Sequence, residues 1–391
     1  MTRLVAFYLP QFHEIPENNE WWGDGFTEWV NVRRAQPVFL GHSHPRMPAE
    51  LGEYNLLEAD VHRAQTELAR SHGVDGFCMY FYWFDGVRLL EKPTDAWRDD
   101  SSLLPYCLSW ANESWTRRWD GKDQEVLMPQ NYDDGFEREL FASLLPHFGA
   151  AHYMRQDGKP ILLVHRANLI PSPVSFSVRM RRYAEESGLP GLYLVGAETT
   201  PGLRPEKLGF DAIAEFPPVG ANTLGVAQVA PLRGVSRAFQ GRLMSYPRLA
   251  RKFRGRAIPD FVRHRGVAPG WDNSARRGTK ATIYVGNSPK EFSDWVRFAW
   301  RSERAQRGER GLVFINAWNE WAEGAYLEPD SESGRAYLRA LTSSEVNDAG
   351  ASLPIGRVWS LPQIRSLALA AAGTVLARWR AAANNINRFR R

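Results

Sequence analysis

Cysteine is nearly absent: Cys78 and Cys107 are the only two in 391 residues, each inside an apolar, strand-like run. Thiols placed that way read as buried free cysteines rather than as a disulfide or a metal pair. His13, His42 and His44 lack the spacing of metal ligands, so no metal is expected. No charge-free apolar run approaches the ~20 residues a membrane-spanning helix needs. The longest near the C-terminus is "SLALAAAGTVLA", and the apolar run in the opening "MTRLVAFYLPQF" is too short for a signal peptide. No Gly-rich turn follows that first run, and P-loop and nucleophile-elbow motifs are missing, so no cofactor is expected. These absences describe a soluble, cytoplasmic protein.

Charge is present but unevenly spread. Residues 219–266 hold ten Arg and Lys against Asp260 alone, and residues 349–391 hold seven Arg and no acid, within a total of only +5. The rest of the chain is therefore acidic, with two basic appendages. Zinc-finger spacing, recognition-helix patterns and RNA-binding signatures are all lacking, so nucleic acid is not the expected partner. An anionic membrane surface or phosphate-bearing lipid suits both stretches better, placing the protein at the inner membrane face. A solvated basic loop and a disordered tail remain the plainer alternative.

Aromatics are abundant, with 15 Trp, 13 Tyr and 20 Phe. They fit a generous core or a wide cleft faced with flat rings, which suits the C–H faces of sugars. Short apolar runs recur at 4–11, 75–84, 106–113, 160–167, 191–198, 210–218, 267–273 and 312–321. Helical patterns separate several of them, as in "NLLEADVHRAQTELARSHG", and in "SPKEFSDWVRFAWRSERAQ" with Ser288 as N-cap. Near-continuous apolar strands alternating with helices imply a parallel sheet covered by helices. Eight of them predict a single (β/α)8 TIM-type barrel. A basic insertion, 219–266, precedes strand seven. Residues 1–348 form the barrel domain, and 349–391 a basic helical extension, interfacial or packed on the barrel.

Polar and aromatic residues gather at the C-terminal ends of the strands, where barrel sites are built. In "LVFINAWNEWAEGAYLEPD", Glu320 and Glu323 follow the last strand among Asn316, Trp318 and Asn319. Two carboxyl groups, one protonated and one ionised, are what glycosidic bond cleavage requires. Residues three apart share a side only in a turn, so the pair works only if the strand stops near Trp318. Around strand three, "LSWANESWTRRWDG" offers Trp110, Asn112, Glu113, Trp115, Arg117 and Trp119. Glu113 reads as an acid, a holder of sugar hydroxyls, or a salt-bridge partner. The first strand's end contributes Tyr8, Gln11, Trp22, Glu28 and Trp29, the second Tyr80 and Tyr82, and the sixth and seventh Glu215 and Trp271.

"FYLPQFH", "NEWWGDGFTEW", "DGFCMYFYWF", "WANESWTRRWDG", "PGWDNSARR" and "NAWNEWAEGAYLEPD" together resemble the WbsX-type proteins of bacterial polysaccharide loci, over roughly residues 3–342. Those proteins are often labelled glycosyltransferases and are similar to glycoside hydrolase family 99, the endo-α-1,2-mannosidases. Asn319, Glu320, Trp321, Glu323, Gly324, Glu328 and Pro329 match the hydrolases' "NEWHEGTQIEP". The resemblance implies Glu320 as the base acting on the sugar's 2-hydroxyl and Glu323 as the acid/base at the glycosidic oxygen. It also implies a retaining route through a 1,2-anhydro sugar. Ala322 replaces the family's His, and Ala325, Tyr326 and Leu327 replace Thr-Gln-Ile, so this chain departs in sugar recognition and keeps the carboxylates.

The expectation is a retaining glycosidase or transglycosidase acting on α-mannose- or α-rhamnose-type linkages of a surface polysaccharide, the substrate free or lipid-linked. A nucleotide-sugar glycosyltransferase is the alternative enzyme, although no Asp-x-Asp metal site is present. A carbohydrate-binding barrel without chemistry is the non-enzymatic alternative.

Overall fold

The computed structural model describes residues 1–117, 122–342, 353 and 355–386. Eight strands, β1 (Arg3–Tyr8), β2 (Gly76–Phe84), β3 (Tyr106–Trp110), β4 (Lys159–Val164), β5 (Tyr193–Ala197), β6 (Ala212–Ala214), β7 (Arg263–Val267) and β8 (Leu312–Ile315), pair in that order, all parallel. Pairing of β1 with both β2 and β8 closes the sheet, Val5 opposite Gly76 and Arg3 opposite Leu312. This is a (β/α)8 barrel, and its strands are buried on both faces, which is why they read as unbroken apolar runs. Gly266 marks the tightest approach within it: a Cβ there would collide with the Glu215 carbonyl.

The connections at the C-terminal ends of the strands are the long ones. After β1 the chain makes α1 (Pro16–Trp22) and α2 (Glu28–Arg34) before the barrel helix α3 (Ala59–Ser71). The helices α4 (Glu91–Asp99), α5 (Phe136–Phe148) and α6 (Pro173–Glu186) follow β2, β3 and β4, whereas only a 3-10 turn follows β5. A hairpin of Trp115–Arg117 with Lys122–Met128 precedes α5.

The basic stretch is partly regular. It contains a strand, Arg242–Ser245, and α7 (Tyr246–Arg254), and the strand pairs in parallel with Thr282–Val285 beyond β7. Phe39, Leu232, Phe239, Leu243 and Ile283 form a small core of their own there. Strand seven lies earlier than the sequence pattern placed it, inside the supposed insertion, and 267–273 is mostly the loop after it. Its three consecutive polar residues, Arg263, His264 and Arg265, hide it. His264 and Arg265 are buried and Arg263 half-buried, because Glu303 meets His264 at 3.2 Å and Glu215 meets Arg263 at 3.2 Å and Arg265 at 3.4 Å.

After β7 come α8 (Ser274–Arg277) and α9 (Pro289–Arg307), the latter capped by Ser288 Oγ accepting from Glu291 N. α10 (Ala336–Thr342) follows β8. The final helix, α11 (Leu361–Ile386), docks by its first half on the basic stretch, not on the barrel. Leu243 N donates to Ser366 Oγ at 2.8 Å, and Leu224 N to Thr374 Oγ1 at 2.8 Å. From Val375 to Arg380 every side chain is exposed. No helix among the described residues is long and apolar enough to cross a membrane.

Candidate active site

β8 ends at Ile315, and the chain then turns across the barrel mouth. Trp318 N donates to Phe7 O at 2.8 Å. The Asn319 amide clasps Leu9, accepting from its N at 2.7 Å and donating to its O at 3.0 Å. Asn319–Glu320 pairs antiparallel with Ala325–Tyr326, and Trp321–Glu323 forms a single 3-10 turn ending at Gly324 with φ 56°. A Cβ at Gly324 would lie 3.0 Å from Asp272 Cβ and 3.1 Å from Arg46 Cζ, so glycine answers both the conformation and the space.

That turn brings the two carboxylates to one guanidinium. Arg276 of α8 reaches Glu320 Oε2 with Nη2 at 3.0 Å and Glu323 Oε1 with Nη1 at 2.8 Å. Its Nε reaches Glu28 Oε1 of α2 at 3.0 Å. One cation cannot neutralise three carboxylates. Burial pushes Glu320 up to about 8, with Glu323 and Glu28 adding to the rise and Arg276 opposing it. Burial raises Glu323 as well, again against Arg276. The pair therefore holds a proton near neutrality. A carboxylate raised this far is also the stronger base once ionised.

A cavity of about 400 Å³ opens beside the pair. Of the side chains expected there, Gln11, Trp22, Tyr80, Tyr82, Glu113, Trp115 and Trp271 line it together with Glu320 and Glu323. Trp115 stands edge-on to Tyr82, ring centres 5.0 Å apart. Glu113 lies 3.7 Å from Arg166.

Other expected residues are placed elsewhere. Tyr8 donates to Gln65 Oε1 at 2.8 Å and Trp29 Nε1 to Tyr54 O at 2.8 Å, both buried. Trp110 and Trp318 are core side chains, and Asn316 donates to Pro217 O at 2.8 Å. Asn112 is consumed by Arg166, whose N it accepts at 2.7 Å and whose O it bonds at 3.0 Å. Glu215 is buried among Arg256, Arg263 and Arg265. Asn319 ties β8 to β1, and Glu28 acts on the site through Arg276. Trp119 and the side chain of Arg117 lie outside the described residues.

Sequence reasoning passed over His165, Arg166, Phe216, Arg276 and Arg277, all of which line the cavity. His165 packs edge-on against Tyr80 at 5.7 Å and Phe216 at 5.1 Å, and burial pulls its imidazole down to about 4, so it is neutral. The signal for it was available: His165 ends an apolar strand, as Asn112 and Glu113 do.

Asp272 braces the site from within. Its backbone N donates to Glu323 O at 2.6 Å, and its Oδ1 accepts from Ser274 N at 3.0 Å, at the start of α8. Burial would raise its carboxyl, but Arg46 at 2.7 Å, His42 at 2.6 Å and His44 at 3.0 Å hold it well below the usual range. His42, His44 and Asp272 are close enough together for a metal. The donor set does not fit one, because His42 Nδ1 accepts the Val38 N–H at 3.0 Å, so Nε2 carries the proton given to Asp272. Arg46 already supplies the positive charge.

The sequence profile of the family described as Glycosyltransferase WbsX matches residues 4–341. Two strains of Xanthomonas campestris pv. campestris carry an uncharacterized protein WxcX that is 45% identical over 340 residues, 86% of this chain and 48% of the relative. The chain thus spans about half the length of the curated relatives it matches. A glycoside hydrolase-like protein of known structure aligns with TM-score 0.54 at 15% identity, over 87% of this chain and 92% of that one, a likeness of fold. A GH99 endo-alpha-mannosidase from Bacteroides thetaiotaomicron aligns with TM-score 0.49 at 16% identity, over 96% and 98%.

Proposed function

The chain belongs to the WbsX glycosyltransferase family, and from that membership and the geometry of the carboxylate pair we propose a retaining enzyme that cleaves or transfers at an α-mannose- or α-rhamnose-type linkage of a bacterial surface polysaccharide. The observation that carries the proposal is the convergence of Glu320 and Glu323 on Arg276, at the wall of a cavity faced with tryptophans and tyrosines.

In the proposed reaction Glu320 takes the proton of the sugar's 2-hydroxyl. The freed oxygen forms a bond to C1 as the C1–O glycosidic bond breaks, giving a 1,2-anhydro sugar. Glu323 delivers its proton to the departing oxygen. An acceptor hydroxyl or water then attacks C1, losing its proton to Glu323, while O2 regains the proton from Glu320. Two inversions at C1 give retention. Arg276 keeps both carboxylates oriented and shares their charge, and the neutral His165 offers a hydrogen bond without adding charge.

The test is product release from α-mannan, α-rhamnan and lipid-linked repeat units. Full activity in a Glu320→Gln, Glu323→Gln double variant would sink the assignment. The family's description as a glycosyltransferase favours a second reading, transfer from a nucleotide sugar. Calorimetry with nucleotide sugars separates the two, since that reading fails if none binds.

A further inference from the structure

A second depression, of about 500 Å³, shares Trp22, Arg276 and Arg277 with the cavity beside the Glu pair. Its remaining walls include Trp21, Phe26, Arg34 and Lys280. Four of its lining side chains are cationic, Arg34, Arg276, Arg277 and Lys280, and no lining side chain is acidic. Arg276 is saturated by Glu28, Glu320 and Glu323. Arg34 and Lys280 are exposed, and neither is in an ion pair among the described residues.

The lining suits a sugar in part only. Trp21 and Trp22 offer flat faces for C–H stacking. A neutral sugar unit would also need acceptors for its hydroxyls, and the depression supplies mainly donors. An anionic oxygen satisfies such donors best, since charge-assisted hydrogen bonds are the stronger kind.

We propose that this depression is a subsite for an anionic sugar unit, held by Arg34 and Lys280 next to the bond that the Glu pair acts on. The substrate is then an acidic glycan, not a plain mannan or rhamnan. The inference rests on the reading of the neighbouring cavity as a glycan site. The negative charge has two possible sources, a uronate carboxylate within the chain or a pyrophosphate at its reducing end.

The experiment uses the full chain carrying Glu320→Gln, so that ligands bind without turnover. Calorimetry compares three oligosaccharides of equal length: neutral, uronate-containing, and glycosyl pyrophosphate. One anionic ligand should bind about tenfold tighter than the neutral one, in keeping with a charged hydrogen bond. Adding Arg34→Ala and Lys280→Ala should erase that difference while leaving the neutral ligand's affinity in place, and added salt should narrow it. The favoured anionic arm identifies the source. Equal affinity for all three ligands, or a preference untouched by the two substitutions, overturns the inference and leaves the proposed function standing. Failure of every ligand to bind overturns both.

Discussion

Arg276 Nη2 lies 3.0 Å from Glu320 Oε2, and this contact joins the loop after β7 to the turn after β8. It sets the protonation of the site, because Arg276 opposes the burial that raises both glutamates. In Arg276→Ala that opposition is gone, and both carboxyls rise further. The group that must ionise then does so at higher pH. The ascending limb of the pH–rate profile should move upward by about one unit or more, with kcat reduced on the order of 10²-fold. An unshifted limb would mean that Arg276 serves only to fold the loop.

The two glutamates should separate by leaving group. Glu323→Gln removes the proton donor, so activity on a natural glycoside should fall on the order of 10³-fold. It should recover on an aryl glycoside whose leaving group needs no proton. Glu320→Gln removes the base in the bond-forming step, and the aryl substrate should not rescue it. Equal rescue of both variants would contradict the assigned roles.

Glu328 was legible only as part of a motif, and the structure shows what it does. It accepts from Trp321 Nε1 at 2.7 Å, Gln65 Nε2 at 2.7 Å and Tyr54 O–H at 2.8 Å. Burial still pushes it up to about 7 despite these bonds. Between the unfolded value, near 4.5, and about 7 the folded state keeps a proton that the unfolded state has lost. Glu328 should therefore make stability decline as pH rises through that window, by about 3 kcal/mol, and its share ends above it. Glu328→Gln should make the slope shallower by this share and leave the part that the raised Glu320 and Glu323 contribute. Denaturant midpoints at intervals from pH 4.5 to 8 measure it, and identical slopes for both proteins would reject the assignment.

The half-buried Arg46 pairs with the buried Asp272 under the Glu323 turn. Removing the cation in Arg46→Ala leaves a carboxylate with only two histidines against it. A loss of about 3–5 kcal/mol is expected, because a buried charge is stranded. Chemical denaturation measures it, and a loss under 1 kcal/mol would show that the histidines suffice.

The barrel was legible because its strands are buried on both faces and announce themselves by apolarity alone. β7 escaped because its burial is achieved through ion pairs, Glu303 with His264 and Glu215 with Arg263, and paired charges look like surface in a sequence. The strand-end rule gathered candidates at the right end of the barrel but could not tell which way each side chain turns. Trp110 and Asn319 sit within one or two residues of the cavity lining and spend themselves on the core or on Leu9. Arg276 was harder still: its role exists only because α2, α8 and the β8 turn meet. No local pattern carries that.

The exposed half of α11 offers the last prediction. Its first half is held to the basic stretch by Ser366 and Thr374, whereas Val375, Leu376, Arg378, Trp379 and Arg380 are exposed. A helix bearing Trp, Leu and Arg fits the boundary of an anionic bilayer. Each arginine near such a surface contributes about 1 kcal/mol, screened by salt. The proposal is that this segment brings the enzyme to anionic lipid. Truncation after Thr374 tests it without uncovering the docked half. The full chain should float with phosphatidylserine vesicles at low salt and be released at high salt, and should ignore neutral vesicles. The truncated chain should float on the order of tenfold less. Equal flotation of both would remove the helix from the account and leave residues 219–262 to be tested in the same assay.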